Sequence, residues 1–188
     1  MNILYISGSP RKKNSNTDYL LNIAQSVTGG EFIKLVNYRI EPCNSCWICR
    51  KQSVCAIDDD MRNVITPMLL ACDALVLGSP VYFNNVSAQL KAFIDRTWAL
   101  RGKLRNKLGG AVVVDRRYGA ESAITAMHAF FLKHDMIPVN RGVCATAFKP
   151  GEVKADLEAV ESAGKLAERI LEIGKLMNMT TGDSRMNP

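Results

Sequence analysis

Histidine is scarce in this sequence, and so is the chemistry that histidine usually supplies. The only two histidines, His128 and His134, lie about 600° apart on a predicted helix and therefore do not share a face. We expect neither of them to bind a metal ion. No grouping of serine, histidine and aspartate suggests a nucleophilic triad, so no side chain is expected to act as a catalytic acid or base.

Long apolar runs and secretory features are also lacking. No apolar run in the 188 residues approaches the length that spans a membrane, and nothing at the N-terminus resembles a secretory signal. We therefore expect a cytoplasmic protein with reduced cysteines and no membrane partner. The net charge is +6, but a nucleic-acid-binding motif is absent and aromatic residues are not interleaved with the charges. No nucleic-acid partner is expected.

What the sequence does contain is one dense group of cysteines. Four of the six cysteines follow the pattern C-x2-C-x2-C-x5-C within residues 43–55, here called the cysteine loop: Cys43, Cys46, Cys49 and Cys55. Such thiols can form disulfides, bind zinc or bind an iron–sulfur cluster. A reducing cytosol disfavours disulfides, and zinc usually takes two ligand pairs separated by a longer loop. The spacing favours a cluster, with an unmetallated or redox-active thiol loop as the alternative.

Strand and helix patterns alternate five times along the chain. Apolar runs predict strands over residues 1–7, 31–38, 73–79, 110–114 and 137–145, with helices between and after them. This alternation predicts an α/β fold: a flavodoxin-like, doubly wound, five-stranded parallel sheet of order 2-1-3-4-5 with helices on both faces. We expect one domain over residues 1–178, with the cysteine loop as an insertion, and a flexible tail over 179–188. The two other cysteines, Cys72 and Cys144, are expected to be buried.

Two loops follow the strands between which this winding reverses, where such sheets bind ligands. Residues 8–17, here called the phosphate loop, lack the Walker and G-x-G-x-x-G patterns. They are rich in hydroxyl and amide groups and precede a helix, so they can hold a phosphate. Residues 80–85, the aromatic loop, mix rings with amides, which suits a flat ring with a polar edge. Either loop alone could merely cap its helix or cover the sheet, but together they fit FMN.

Topology places two further loops on the same rim of the sheet. The cysteine loop follows the second strand, and residues 115–120 follow the fourth. The carboxyl ends of parallel strands meet at one edge, so we expect all four loops to converge there.

Three segments together resemble a known family. Gly8-Ser9-Pro10-Arg11 with Asn16-Thr17, the cysteine loop leading into Asp59-Asp60-Met61, and residues 79–83 with 90–96 resemble the NADPH-dependent FMN reductase family. Within that family they are most similar to the iron–sulfur flavoproteins. The resemblance implies a flavodoxin-like fold, non-covalent FMN and a flavin-dependent oxidoreductase, with NAD(P)H as an electron donor. It also implies a homodimer or homotetramer.

The resemblance implies site residues as well. The FMN phosphate would contact Ser9, Arg11, Ser15, Asn16 and Thr17. The flavin ring would lie against Pro80, Val81, Tyr82, Phe83 and Asn84, and the loop at Tyr118 and Gly119 would close over it. Cys43, Cys46, Cys49 and Cys55 would hold a [4Fe–4S] cluster.

Three functions agree with these features. The first is an FMN and [4Fe–4S] oxidoreductase that exchanges electrons with a ferredoxin-like protein or a small-molecule acceptor. The second is an NAD(P)H-dependent FMN or quinone reductase without a cluster. The third is a non-enzymatic electron-transfer flavoprotein.

Overall fold

A parallel sheet organises the protein, which we describe from a computed structural model over residues 1–178. The strands are β1 (Ile3–Ser7), β2 (Glu31–Lys34), β3 (Ala74–Pro80), β4 (Leu108–Asp115), β5 (Ile137–Pro138) and β6 (Val143–Thr146). The order is β2-β1-β3-β4-β5, with β6 also paired to β4 and every pairing parallel. The predicted flavodoxin-like order is therefore confirmed, whereas the predicted tail, 179–188, lies outside the described residues.

The edge strand differs from the prediction of one strand over 137–145. Its two pieces pair with the same neighbour, Ile137 opposite Leu108 and Val143 opposite Val112. Between these two pairings the edge strand advances by six residues while β4 advances by four. The two extra residues of the edge form a bulge. A turn closes the bulge, because the Gly142 N–H donates to Asn140 Oδ1 at 3.0 Å and Gly142 has a φ of 103°.

Residues 1–178 contain six α-helices. They are α1 (Asn16–Thr28), α2 (Ile48–Gln52), α3 (Thr66–Ala71), α4 (Ala88–Arg96), α5 (Ala120–Lys133) and α6 (Leu157–Leu176). All of them except the short α2 cover the two faces of the sheet. Alternate strand residues point to opposite faces. Ile3 and Tyr5 therefore join the core under α1 and α6, while Leu4 and Ile6 join the core under α3, α4 and α5. No helix within residues 1–178 is both long and apolar enough to cross a membrane.

Of the helices predicted between the strands, the one before β3 forms in two pieces. A π-helical turn over Met61–Ile65 precedes α3, and the Thr66 hydroxyl donates to Met61 O at 2.8 Å. Pro67 lies in the first turn of α3, where its missing N–H removes no helical hydrogen bond. Proline therefore marks the start of a new helix here.

The two cysteines outside the cysteine loop have different environments. Cys72 is buried as expected, and burial raises the pKa of its thiol to about 11. Cys144 is exposed, contrary to the prediction. It lies on β6, where Val143 and Ala145 take the inward positions of the alternating strand, so Cys144 points outward.

A buried histidine, His134, follows α5. The Thr97 hydroxyl donates to Ile94 O at 2.6 Å, so its oxygen accepts from His134 Nε2 at 2.9 Å. This assigns the proton to Nε2 and makes Nδ1 an acceptor that has no partner among residues 1–178. Burial lowers the pKa of His134, and the nearby Asp135 carboxylate only partly opposes the effect.

Acidification should therefore destabilise the protein through His134. The unfolded chain takes up a proton near pH 6.5, but the folded protein resists protonation of His134, so stability falls as the pH drops below that value. Between about pH 7.5 and 5.5, His134→Gln should lose less unfolding free energy than the native protein does. The difference should reach up to about 1.4 kcal/mol for each unit by which the pKa of His134 is lowered in the native protein. Urea unfolding at the two pH values measures the difference. Equal losses in the two proteins would contradict the prediction.

Candidate functional site

The phosphate loop ends at the N-terminus of α1. Ser15 caps the helix, with its hydroxyl oxygen accepting the Asp18 N–H at 3.1 Å. Earlier in the loop, the Arg11 N–H donates to Ser9 Oγ at 3.3 Å. The first N–H groups of a helix have no intrahelical acceptor and carry partial positive charge. This turn can therefore bind an anion.

Ser87, the N-cap residue of α4, forms hydrogen bonds that hold this loop. The Ser87 hydroxyl donates to Gly8 O at 2.6 Å, and the Ser87 N–H donates to Ser79 Oγ at 2.9 Å. Gly8 has no room for a side chain, because a Cβ there would lie 2.7 Å from Leu90 Cβ. One serine thus fixes the loops that follow β1 and β3.

The aromatic loop forms a tight turn that projects from the sheet. Tyr82 and Asn85 exchange backbone hydrogen bonds of 2.9 and 3.0 Å. The two residues between them, Phe83 and Asn84, both have left-handed φ values of 48° and 58°. Phe83 is fully exposed. The turn therefore presents an aromatic ring to the space above the sheet.

The loop after β4 packs against this turn. Gly119 has a φ of 83°, and a Cβ there would lie 2.6 Å from Asn84 Cα and 2.9 Å from Val81 Cγ1. Only glycine allows the two backbones to approach so closely. The neighbouring Tyr118 is 77% exposed and lies at the rim.

A single depression collects most of the predicted flavin residues. Its lining comprises Ser9, Arg11, Ser15, Asn16, Thr17, Pro80, Val81 and Tyr82, together with Val114, Asp115, Arg116 and Ala147. Phe83, Asn84, Tyr118 and Gly119 are not part of this lining. The donor groups and the rings thus occupy adjoining parts of one surface, as a phosphate-bearing flat ligand requires.

The segment that follows β6 contributes to the site in a way that was not predicted from the sequence. Asn16 Nδ2 donates to Lys149 O at 2.9 Å, and Asn16 Oδ1 accepts the Gly151 N–H at 2.7 Å. The Arg116 guanidinium donates to Phe148 O at 3.1 Å. Asn16 therefore fastens this segment to the phosphate loop with both ends of its amide. Arg116 is one of two adjacent arginines in the sequence, whereas nothing in the sequence around Ala147 indicates a site.

The cysteine loop has a different setting. Cys43 and Cys46 are exposed, while Cys49 and Cys55 are partly buried, and all four thiols are free. Three non-glycine residues have left-handed φ values between 54° and 60°: Ser45, Trp47 and Ser53. Within residues 1–178, no three histidine, cysteine, aspartate or glutamate side chains are grouped as metal ligands would be. The four thiols therefore lie in one loop without converging on a point.

A buried ion pair holds both ends of this loop. Arg96, the last residue of α4, binds the Asp59 carboxylate with distances of 2.7 and 2.9 Å, and both side chains are fully buried. Arg96 also donates to Glu41 O at 2.6 Å and to Cys55 Sγ at 3.3 Å. Burial opposes ionisation of Asp59, but the hydrogen bonds from Arg96 and from the Glu41 and Arg62 N–H groups outweigh it and hold the pKa of Asp59 below its usual value.

The expectation that the cysteine loop shares the rim with the other three loops was wrong. No residue of the cysteine loop lines the depression. Strand β2 ends at Lys34 and a 3₁₀ turn over Leu35–Asn37 follows, so the chain has turned before Cys43. Arg96 then fixes the loop at the C-terminal end of α4. At 1.5 Å per residue, α4 separates the two regions by about 12 Å.

A second cavity, of about 530 Å³, adjoins the cysteine loop. Cys43, Cys49 and Trp47 form one side, and α4, α5 and the residues after them form the other, including Trp98 and Phe130. It shares no lining residue with the depression between the phosphate and aromatic loops. Two of the four cysteines, Cys43 and Cys49, therefore border a largely apolar space.

The thiols of the cysteine loop match the ligands of an iron–sulfur cluster in number and kind, but within residues 1–178 they are not grouped as its ligands would be. Four thiols match the ligand number of a [4Fe–4S] core. Arg50 and Lys51 lie on α2 within the loop, and the buried guanidinium of Arg96 donates to Cys55. Positive charge nearby would offset the negative charge that thiolate ligands bring to a cluster. The depression fits FMN, because it combines a helix N-terminus, an arginine and apolar side chains.

Comparisons with known proteins agree with this geometry. Residues 1–151 match the family described as NADPH-dependent FMN reductase. The chain is 39% identical over 192 residues to an iron-sulfur flavoprotein of Methanocaldococcus jannaschii, which covers 94% of this chain and 99% of that protein. An iron-sulfur flavoprotein of Methanosarcina thermophila is 33% identical, and the alignment covers 94% of this chain and 97% of that protein. The solved structure of the NAD(P)H:quinone oxidoreductase of Methanothermobacter marburgensis shares the fold, with a TM-score of 0.67 and 16% identity. The superposition covers 92% of this chain and 96% of that one.

Proposed function

Because the chain belongs to the NADPH-dependent FMN reductase family and is a flavin-dependent oxidoreductase, we propose that it is an iron–sulfur flavoprotein. In this proposal, electrons pass between a [4Fe–4S] cluster, FMN and an external donor or acceptor. The resemblance found in the sequence is confirmed by the family match and by relatives named iron-sulfur flavoprotein. The observation that carries the proposal is that both ends of α4 contact these regions. Its N-cap residue, Ser87, is hydrogen-bonded to Gly8 and Ser79 beside the flavin loops, and its last residue, Arg96, is hydrogen-bonded to Cys55 of the cysteine loop.

The depression supports FMN as the flavin. The α1 N-terminus, the Ser9 hydroxyl and Arg11 would bind the terminal phosphate, while Pro80, Val81 and Tyr82 would contact the ring. Bound FMN supplies one- and two-electron chemistry, and the protein residues orient it and shield one side from water. We propose NAD(P)H as a donor, on the basis of the family description.

The cysteine loop supports the cluster through its number of thiols and its positive charge. Cys43, Cys46, Cys49 and Cys55 would be the ligands. A bound cluster exchanges single electrons, which suits a protein partner at the exposed side of the loop. We propose a ferredoxin-like acidic partner, because Arg50 and Lys51 lie on α2 and the Lys103 ammonium donates to Ser53 O at 3.5 Å, which gives this surface positive charge. A small-molecule acceptor would bind at the flavin instead.

Anaerobic purification tests the proposal directly. Iron and sulfide assays, together with the visible absorbance spectrum, should give about four irons per flavin. Protein that binds neither iron nor sulfide after reconstitution would exclude the cluster. That result would favour the second candidate, an NAD(P)H-dependent FMN or quinone reductase, which is supported by the lack of convergence among the four thiols in residues 1–178.

Three further properties belong to the proposal. We propose the reducing cytoplasm as its compartment, which suits six free cysteines. We propose a homodimer or homotetramer, which sedimentation of the holoprotein would establish. A protein that reduces its partner but turns over no small molecule would be an electron carrier, the third candidate.

Arg11 should contribute strongly to flavin binding. A charge-assisted hydrogen bond contributes about 1.5–3 kcal/mol, so Arg11→Ala should raise the dissociation constant of FMN by roughly tenfold to 150-fold. Fluorescence titration of the apoprotein measures this constant. Lys13→Ala is the matched control, because Lys13 lies in the same loop but is exposed and does not line the depression. Equal effects of the two changes, or the release of FAD from the native protein, would contradict the FMN assignment.

A further inference from the structure

We propose that Lys34 is a positioning residue for the phosphate loop and that it makes the depression selective for a flavin that carries a phosphate. This inference rests on the proposed function, since it takes FMN as the ligand. Lys34 is the last residue of β2 and does not line the depression. Its ammonium donates to Lys12 O at 2.9 Å and pairs with the Asp18 carboxylate at 2.5 Å. The Lys34 and Asp18 side chains are only 15% and 13% exposed, so water reaches this pair poorly.

A chain of hydrogen bonds continues from Asp18 to the start of the phosphate loop. The Ser7 hydroxyl donates to Asp18 Oδ1 at 2.5 Å, and its oxygen accepts the Ser9 N–H at 3.2 Å. The Ser9 hydroxyl oxygen in turn accepts the Arg11 N–H at 3.3 Å. On the other side of Arg11, the next carbonyl along the chain is held by Lys34. The backbone on both sides of Arg11 is therefore fixed, and its side chain is presented to the depression that it lines.

The charge of Asp18 matters because of where the residue lies. Asp18 belongs to the first turn of α1, whose N-terminus is the proposed phosphate site. A carboxylate in that turn is attracted by the helix dipole but repels a second anion. A phosphate monoester carries a charge of about −1.5 to −2 at pH 7, so an unpaired Asp18 would repel FMN. Lys34 neutralises this carboxylate. Riboflavin has the same ring system but no phosphate, so its binding should not depend on the pair.

Lys34→Met removes the ammonium and keeps a long apolar side chain. We expect the dissociation constant of FMN to rise about tenfold, which corresponds to about 1.4 kcal/mol, because Asp18 then repels the phosphate and Lys12 O loses its donor. The dissociation constant of riboflavin should stay unchanged. Lys34→Arg conserves the charge and should keep most of the native affinity for FMN. A role confined to the stability of the fold would weaken the binding of both flavins equally.

Two further variants separate the charge from the hydrogen bonds. Lys34→Met combined with Asp18→Asn removes both charges, so it should recover part of the FMN affinity that Lys34→Met loses. The part that is not recovered measures the contact with Lys12 O. Lys12→Met is the matched control, because it removes one positive charge from the same loop but leaves the backbone carbonyl in place. The Lys12 side chain is exposed, so its loss should change the ratio of the two dissociation constants less than Lys34→Met does.

The experiment is a fluorescence titration of each apoprotein with FMN and with riboflavin at one ionic strength. A ratio of the two dissociation constants that is the same in Lys34→Met and in the native protein overturns the inference. If Lys34→Met does not fold, Asp18→Asn takes its place. It leaves the Lys34 charge uncompensated, so the preference for FMN over riboflavin should rise, and an equal or weaker preference overturns the inference. A native protein that binds riboflavin as tightly as FMN, or binds neither, refutes the proposed function instead, so the two failures are distinguishable.

Discussion

Cys46→Ser is expected to remove the iron and leave FMN in place. The iron content should fall from about four per flavin towards zero, because a neutral hydroxyl is a poor substitute for a thiolate ligand. FMN should remain, since no cysteine lines the depression between the phosphate and aromatic loops. Iron, sulfide and flavin assays on one anaerobic preparation give all three values. Reduction of the flavin by NAD(P)H should change less than single-electron transfer to a protein partner.

Two cysteines outside the loop provide matched controls. Cys72 is buried and Cys144 is exposed on β6, so together they bracket the exposed and partly buried cysteines of the cysteine loop. Cys72→Ser and Cys144→Ser should retain the native iron content. Iron loss in Cys144→Ser equal to that in Cys46→Ser would place the metal elsewhere. Loss of FMN together with iron in Cys46→Ser would mean that the two regions do not bind independently.

The sheet could be predicted because each of its strands is a local feature. A parallel strand that is buried on both faces forms a continuous apolar run, and β1 and β3 display such runs. The order of strands then follows from the right-handed connections that join them. The break between Ile137 and Val143 coincides with Asn140-Arg141-Gly142, which interrupts the apolar run, but only the structure shows that the pieces on both sides pair with β4.

Residues of the flavin region were predictable where the chain brings donors together locally. Ser9, Arg11 and Ser15 all precede one helix, so topology alone places them at its N-terminus. The double use of the Asn16 amide was not predictable, because its partners at Lys149 and Gly151 lie more than 130 positions away. No local pattern records a contact of that range.

Ion pairs near the cysteine loop were likewise not predictable from local sequence patterns. Asp95 and Arg96 are neighbours of opposite charge, but adjacent helical residues do not face each other. Asp95 instead pairs with Lys91 one turn earlier, at 2.6 Å, and both side chains are exposed. Asp59 is one of three consecutive aspartates, a residue type that often caps the start of a helix. It does accept the Arg62 N–H at 3.3 Å, but its main partner is Arg96. A buried ion pair between distant positions leaves no periodic signal.

Asp59→Ala is expected to destabilise the protein strongly. Removal of one partner leaves the guanidinium of Arg96 buried without its counter-charge, which costs about 3–5 kcal/mol. The loss also releases Glu41 N–H, which donates to Asp59 Oδ2 at 2.9 Å. In a protein of this size, each kcal/mol lowers the melting temperature by about 2–4 °C. Thermal and urea unfolding of the apoprotein measure the effect without a contribution from flavin.

Asp95→Ala is the control that separates this pair from ordinary surface charge. Asp95 is the residue next to Arg96 and is also half of an ion pair, but that pair with Lys91 is exposed. Exposed pairs contribute about 0–1 kcal/mol, so Asp95→Ala should unfold almost as the native protein does. Amide hydrogen exchange should then localise the damage of Asp59→Ala to the cysteine loop and the end of α4, with β1 and β3 still protected. Similar unfolding free energies for the two alanine variants would show that the buried pair does not hold the loop, because a fully buried charge left without its partner destabilises a protein far more than one that water solvates.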